Sequence, residues 1–112
     1  MEKMPVVAIM YDFDRTLCTK DMQDYSFIPR LHMTEDEFWR FSNELGQNEH
    51  MDSILAYMYA MVRMSREKDI PLLRNDLVEM GANVEFFEGV KDWFKRISDF
   101  GKNLGMQVEH YV

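Results

Sequence analysis

The chain has 112 residues, of which 46% are hydrophobic and 29% charged, a composition that predicts one small folded domain and excludes a disordered segment. Thirteen Lys and Arg against 20 Asp and Glu give a net charge of -7, so phosphate backbones and anionic membranes repel it. We expect no nucleic-acid or membrane partner. The single cysteine, Cys18, excludes an internal disulfide, and the apolar stretch from Met4 to Tyr11 fits neither a transmembrane helix nor a signal peptide, so we expect a cytoplasmic protein.

The first predicted element is an apolar run from Val6 to Tyr11 that follows Pro5. It is too short to cross a membrane, which leaves a strand or a short buried helix. The run is unbroken and contains β-branched residues, a pattern typical of a parallel strand buried on both faces. We therefore predict that the chain opens with a strand.

Helical spacing of apolar residues dominates the middle of the chain, from about 21 to 81. Thr34 and Glu37 form a predicted capping box at the start of the first clear helix, and Gly46 is its expected end. A second helix is predicted over 52–66. A third is predicted to begin near Pro71, because proline is tolerated in a first helical turn, and to end at Gly81.

Beyond this segment, apolar residues again recur at helical spacing from Val90 to Phe100, and Gly101 is the expected stop. Alternation from Met106 to Val112 predicts a second strand. Together these elements predict an α/β fold: a Rossmann-like parallel sheet, represented here by two strands, with an inserted helical cap. The predicted core comprises 1–20 and 87–112, and the predicted cap 21–86.

The segment that carries chemistry is Asp12-Phe13-Asp14-Arg15-Thr16, at the carboxyl end of the first predicted strand, where parallel sheets present ligand sites. A carboxylate there can attack a phosphoryl group and form an aspartyl-phosphate, a role that fits Asp12. Asp14, two residues on, can protonate the leaving oxygen and later activate water. Attack of one anion on another calls for a divalent cation, so Asp12 and Asp14 are also the expected ligands of Mg²⁺.

A plainer interpretation treats the two aspartates as a solvated turn in which one carboxylate caps the next element. The apolar strand directly before the motif favours the catalytic interpretation. The histidines, His32, His50 and His110, are too scattered in the sequence for a zinc site, and we assign them no role.

The apolar strand followed by Asp12, Asp14, Thr16 and Leu17 resembles the first motif of haloacid-dehalogenase-type hydrolases. The resemblance implies that Asp12 is the nucleophile and a metal ligand, that Asp14 is the acid and base and binds metal through its backbone carbonyl, and that Thr16 steadies the turn. Dehalogenases of this superfamily lack the second aspartate, so the resemblance implies a phosphatase.

The resemblance extends more weakly to Phe87-Glu88-Gly89-Val90, similar to the segment that introduces the helix before the family's second motif. The middle helices resemble the cap of phosphoserine phosphatases, which would select the substrate. Asp21 lies where those enzymes carry a glutamate that faces the substrate amine. A substrate-supporting role for Asp21 and a solvated loop residue are the two alternatives.

Two features depart from the family pattern. Arg15 stands where many members have glycine, and the later Ser or Thr, Lys and acidic metal ligands have no counterpart in these 112 residues. We therefore expect Mg²⁺-dependent hydrolysis of a small phosphorylated metabolite in the intact protein and an inactive isolated chain. Open strand edges also predict self-association or dependence on a missing C-terminal part.

The alternative function is a non-enzymatic helical module that binds another protein. Its binding face would consist of Phe38, Trp39 and the methionine-rich helix over 52–66, and the two aspartates would be incidental. Methionine fills irregular cores more often than it forms adaptable binding grooves, which favours core packing for the methionines.

Overall fold

The computed structural model describes residues 2–112, in which two strands flank six helices. In chain order the elements are β1 (Val6–Met10), α1 (Met22–Tyr25), α2 (Phe27–Arg30), α3 (Glu35–Asn48), α4 (Ser53–Glu67), α5 (Arg74–Gly81), α6 (Val90–Asn103) and β2 (Gln107–Tyr111). The described chain divides into two compact units. The strand unit runs up to Asp21 and resumes with Glu85–Val112, and the helical unit is Met22–Val84. These boundaries lie one or two residues from the predicted 21–86.

The sheet of the strand unit is a single parallel pair. Its register runs from Val6 opposite Gln107 to Met10 opposite Tyr111. One further backbone bond extends the ladder at its carboxyl end, where the Tyr11 amide donates to the Tyr111 carbonyl at 2.8 Å. The mixed α/β class and the two predicted strands are thus confirmed, with the strands parallel as expected.

Helix α6 lies against β2, and Gly101 lies at their contact. A Cβ built on Gly101 would lie 2.4 Å from Val108 Cγ2, closer than packed atoms approach. The prediction that Gly101 ends the helix was wrong, because α6 continues to Asn103. Gly101 is required for close packing on the strand, and the chain turns instead at Gly105, whose φ is 77°.

The helical unit encloses its own apolar core. Every element from Met22 to Gly81 is helical, as the spacing predicts. The buried cluster is formed by side chains from four of these helices and the residue after α2: Phe27, Ile28, Leu31, Phe38, Ala60, Met64 and Met80. None of the helices among residues 2–112 has the length and apolar character needed to cross a bilayer.

The start of α3 confirms the predicted capping box. The Thr34 hydroxyl accepts the Glu37 amide at 3.2 Å, and the Glu37 carboxylate accepts the Thr34 amide at 2.7 Å. The expected end at Gly46 was wrong, since α3 continues to Asn48. At Gly46 an added Cβ would lie 3.3 Å from the Ala56 side chain, so the residue allows α3 and α4 to approach closely.

The third predicted helix begins later than expected. Pro71 lies outside α5, which starts at Arg74 after Leu73. The Leu73 amide donates to the Asp76 carboxylate at 2.9 Å, so the start of this helix is fixed by a local acidic side chain instead of by proline.

Candidate functional site

The candidate site is the turn that follows β1. The Phe13 carbonyl accepts three backbone amides, from Thr16 at 3.2 Å, Leu17 at 3.0 Å and Cys18 at 3.2 Å. Leu17 and Cys18 are buried and anchor the far side of this turn. Three amides that converge on one carbonyl fold the motif into a compact loop, which begins at the carboxyl end of a parallel strand.

Two of the predicted site residues meet directly within this loop. The Thr16 hydroxyl donates to Asp12 Oδ2 at 3.3 Å, which orients the carboxylate and leaves its other oxygen for a different partner. Thr16 therefore steadies Asp12 itself as well as the turn. Asp14 lies in the same turn, with its Oδ1 4.0 Å from Cys18 Sγ.

Arg15 has a left-handed backbone conformation. Its φ is 58°, in the left-handed region that glycine adopts without strain and other residues adopt at a cost. The guanidinium makes two contacts with the Asp21 carboxylate, from Nε and from Nη2, each at 3.2 Å. Sequence reasoning treated Arg15 only as a departure from glycine and missed it as the partner of Asp21. A substrate amine at Asp21 would compete with this guanidinium.

Backbone bonds join the loop to the second segment of the strand unit. The Thr19 amide donates to the Glu85 carbonyl at 3.0 Å, and the Phe87 amide donates to the Leu17 carbonyl at 3.1 Å. Cys18 is fully buried between them, with Sγ 3.1 Å from the Lys20 carbonyl. Its thiol is therefore closed to solvent and lies within hydrogen-bond distance of the Lys20 and Phe13 carbonyls.

A polar network lies beside the carboxyl end of β1, immediately before Asp12. The Tyr11 hydroxyl is 2.8 Å from His110 Nδ1, Trp93 Nε1 donates to that hydroxyl at 2.9 Å, and Ser98 Oγ is 2.8 Å from His110 Nε2. The His110 ring also stacks on Tyr11, with centroids 5.8 Å apart. This network connects both strands to α6.

One direction in the network is fixed by its chemistry. An indole N–H only donates, so the Tyr11 oxygen accepts from Trp93. The sequence analysis assigned no role to His110, although its alternation with Val108 along β2 was the available sign that it faces α6.

The acidic residues of the loop provide oxygen ligands of the kind that Mg²⁺ prefers. Asp12 and Asp14 fit the common mode in which magnesium is held by one or two carboxylates together with substrate phosphate. Among residues 2–112 no cluster of three or more His, Cys, Asp or Glu side chains is arranged to hold a metal.

Comparison with known proteins gives one informative similarity. The chain is 31% identical, over 121 aligned positions that cover 99% of it, to an uncharacterized protein of Borreliella burgdorferi. The chain spans 42% of the length of that relative. No family model matches the chain, and no solved structure matches it.

Proposed function

We propose that the chain belongs to a Mg²⁺-dependent phosphate-monoester hydrolase of the haloacid-dehalogenase type, which acts through an aspartyl-phosphate on Asp12. The observation that carries the proposal is the loop after β1, where the Thr16 hydroxyl holds one oxygen of Asp12 at 3.3 Å and Asp14 lies two residues further on. The proposal extends to the fold: β1 and β2 would belong to a Rossmann-like sheet, and the helical unit would be its cap.

The chemistry divides into two displacements. In the first, an Asp12 oxygen attacks phosphorus, the ester P–O bond breaks, and the protonated Asp14 gives its proton to the leaving oxygen. In the second, water gives a proton to Asp14 while its oxygen attacks phosphorus, which breaks the bond to Asp12 and releases inorganic phosphate. The Thr16 hydrogen bond supports both displacements because it restricts rotation of the nucleophile.

Asp12 and Asp14 would hold the magnesium ion, through the Asp12 carboxylate and the Asp14 backbone carbonyl. When bound, Mg²⁺ would offset the negative charges of nucleophile and phosphoryl group. The substrate class is a small phosphorylated metabolite, and the surplus of acidic residues in the chain makes a polyanionic substrate less suitable. A cytoplasmic location remains part of the proposal.

Asp21 takes a different role in this proposal from the one its sequence position suggests. Its carboxylate already forms an ion pair with Arg15, in which Asp21 Oδ2 lies 3.2 Å from Arg15 Nη2. We assign Asp21 to holding the Arg15 side chain in the loop, and recognition of a substrate amine would require that ion pair to open. Arg15, with 63% of its side chain exposed, is then the cation nearest in sequence to the aspartates.

The alternative module, with Phe38 and Trp39 as its binding face, has less support. Phe38 is fully buried in the core of the helical unit, and Trp39 donates to the Asp24 carboxylate at 2.9 Å. Both side chains therefore make contacts within the helical unit, which does not favour them as a binding face. The methionine-rich helix α4 does expose apolar side chains, among them Met58 and Tyr59.

The test uses the complete protein with a general phosphate ester and a titration of Mg²⁺. Asp12→Asn should abolish turnover, because an amide is a poor nucleophile, and Asp14→Asn should lower it by about a hundredfold or more. Asp69→Asn is the matched control: Asp69 is exposed and has a φ of 55°, which asparagine tolerates. Asp12→Asn with near wild-type turnover would contradict the proposal.

A second arm of the experiment uses the purified 112-residue chain. We expect no significant turnover and weak Mg²⁺ binding, because two protein ligands leave most of the metal's oxygen shell to water. Loss of preorganised donors to the phosphoryl oxygens costs about a hundredfold each. Robust Mg²⁺-dependent turnover by this chain, lost in Asp12→Asn, would show that the later motifs of the family are dispensable.

A further inference from the structure

The arginine at position 15 is not explained by stability. Its φ of 58° lies in the left-handed region, which glycine adopts freely and a residue with a Cβ adopts at a cost. Its ion pair with Asp21 is open to solvent, since the Arg15 side chain is 63% exposed and the Asp21 side chain 28% exposed, and exposed ion pairs contribute little stability. Strained backbone conformations of this kind cluster at functional sites. The residue therefore calls for a functional explanation.

The guanidinium of Arg15 already holds a carboxylate. Its Nε donates to Asp21 Oδ1 and its Nη2 donates to Asp21 Oδ2, each at 3.2 Å, so two parallel hydrogen bonds engage both carboxylate oxygens. Arginine recognises the carboxylates of ligands through the same paired geometry. A ligand carboxylate can therefore take the place of Asp21 without any change in the form of the contact.

Arg15 belongs to the same loop as the candidate nucleophile. It stands between Asp14 and Thr16, and the Thr16 hydroxyl donates to Asp12 Oδ2 at 3.3 Å. The amides that converge on the Phe13 carbonyl keep this loop compact, so the arginine side chain leaves the chain one residue from the contact that orients Asp12. A phosphate ester that reacts with Asp12 therefore meets a loop that also carries a guanidinium.

We propose that Arg15 is a specificity-determining residue that binds a carboxylate of the substrate, and that this carboxylate displaces Asp21 from the guanidinium. The substrate class is then a phosphate monoester that also carries one carboxylate, such as a phosphorylated hydroxy acid. The inference rests on the proposed phosphatase function and adds a second group by which the substrate is recognised. Because the chain's net charge of -7 opposes anionic ligands, a local cation is needed to admit this carboxylate.

The test compares kcat/KM of the complete protein for 3-phosphoglycerate and for glycerol 3-phosphate, which differ by a carboxylate in place of a hydroxymethyl group. Wild type should prefer 3-phosphoglycerate by about tenfold or more, the usual contribution of hydrogen bonds to a charged group. Arg15→Gln removes the charge and should bring the ratio close to one. Arg96→Gln is the matched control, because the Arg96 side chain is also 63% exposed and lies beside an aspartate, Asp92, in the same unit. It should keep the wild-type ratio.

Asp21→Asn tests the exchange of one carboxylate for another. Asparagine keeps the size of the side chain but removes the charge with which the substrate competes, so the preference for 3-phosphoglycerate should rise by about threefold, in line with the small contribution of an exposed ion pair. A purely structural role for Asp21 predicts the opposite sign, because Arg15 would lose its support. Asp92→Asn removes the aspartate beside Arg96 and is the control expected to leave the preference unchanged. An unchanged or lower preference in Asp21→Asn would overturn the exchange.

Arg15→Gly separates specificity from stability. Glycine adopts the observed φ without strain, so Tm should stay the same or rise while the preference for 3-phosphoglycerate is lost. A marked fall in Tm would overturn the inference, because the arginine would then serve the fold.

Three further results would also overturn it: a wild type without the preference, a preference that survives Arg15→Gln, or a preference for O-phosphoethanolamine that disappears in Asp21→Asn. In each case, turnover of a general phosphate ester that depends on Asp12 would leave the proposed function standing. Absence of any turnover dependent on Asp12 would refute both.

Discussion

The helical unit and the strand unit differ in whether they enclose a cluster of buried apolar side chains. The helical unit has a closed cluster around Phe27, Ile28, Leu31 and Phe38, each at most 2% exposed. In the strand unit, α6 covers the side of β1 that carries Tyr11, which contacts Phe94 and His110. Val6 and Met10 project from the other side and are exposed, Met10 to 82%.

This difference separates the part of the molecule that holds its own fold from the part that carries the candidate chemistry. Two strands and one covering helix bury little apolar area, and isolated strand pairs are marginal in water. We therefore expect the helical unit to be the more stable of the two. The Asp12 loop then depends on a few specific contacts: the Gly101 packing, the His110 network and the bonds to the Phe13 carbonyl.

Of the substitutions considered, Gly101→Ala is expected to increase the difference in stability between the two units most. The new Cβ would clash with Val108 Cγ2 and destabilise the strand unit by about 2–3 kcal/mol. The matched substitution Gly81→Ala lies in the helical unit, where nothing lies within 4 Å of the new Cβ, and should be neutral or stabilising. Hydrogen exchange read separately over β2 and α4 measures both effects. Equal loss of protection in both units would argue that they unfold as one.

His110→Phe should have the next largest effect and should also be confined to the strand unit. Phenylalanine keeps the ring beside Tyr11 but leaves the Tyr11 and Ser98 hydroxyls without their shared partner, at a cost of about 1–2 kcal/mol. Hydrogen exchange read over β2 measures the loss. His50→Asn, at an exposed site with a φ of 54°, is the control expected to change nothing. A silent His110→Phe would mean that the network contributes no net stability.

The smallest expected effect belongs to the helical unit. Thr34→Ala removes the cap of α3 and should cost about 1 kcal/mol. The hydrogen bond from the Thr34 backbone amide to the Glu37 carboxylate lowers the pKa of Glu37 below its ordinary value. Because the pKa is lower in the folded state, the stabilisation is present above the ordinary glutamate range and is lost as the pH falls through the folded-state pKa.

A measurement of helix content as the pH is lowered tests the direction of this pH dependence. Wild type should lose part of its α3 stability below the ordinary glutamate range, and Glu37→Gln should flatten that dependence while it retains a neutral capping box. A wild-type profile identical to that of Glu37→Gln would show that the carboxylate contributes no pH-dependent stability.

Local sequence patterns predicted contacts between neighbouring residues better than they predicted where helices end. The Thr34 capping box is a contact between neighbours in sequence, so residue types and spacing suffice to predict it. Gly46 and Gly101 resemble helix stops in sequence, but each lies within a helix at a close contact with another element. Their role depends on what approaches them, which helical spacing does not encode.

In the candidate site too, contacts between residues distant in sequence could not be predicted from local patterns. The Asp12-to-Thr16 contact lies within one motif of the sequence, but the sequence analysis expected Thr16 only to steady the turn, and the hydrogen bond to Asp12 is visible only in the structure. The His110 network joins Tyr11 to a residue 99 positions away, and no local pattern specifies that pair. Arg15 was visible as a departure from glycine, but neither its positive φ nor its contact with Asp21 follows from residue type alone.

The most direct test of the central claim is to trap the covalent intermediate. The complete protein is mixed with a ³²P-labelled phosphate ester and Mg²⁺, quenched in acid within one turnover, and mapped by proteolysis. The aspartyl-phosphate mechanism predicts label on the peptide that contains Asp12, released by hydroxylamine and lost in Asp12→Asn, while Asp14→Asn still accepts some label. Turnover without any label on that peptide, or label that survives Asp12→Asn, would contradict the mechanism.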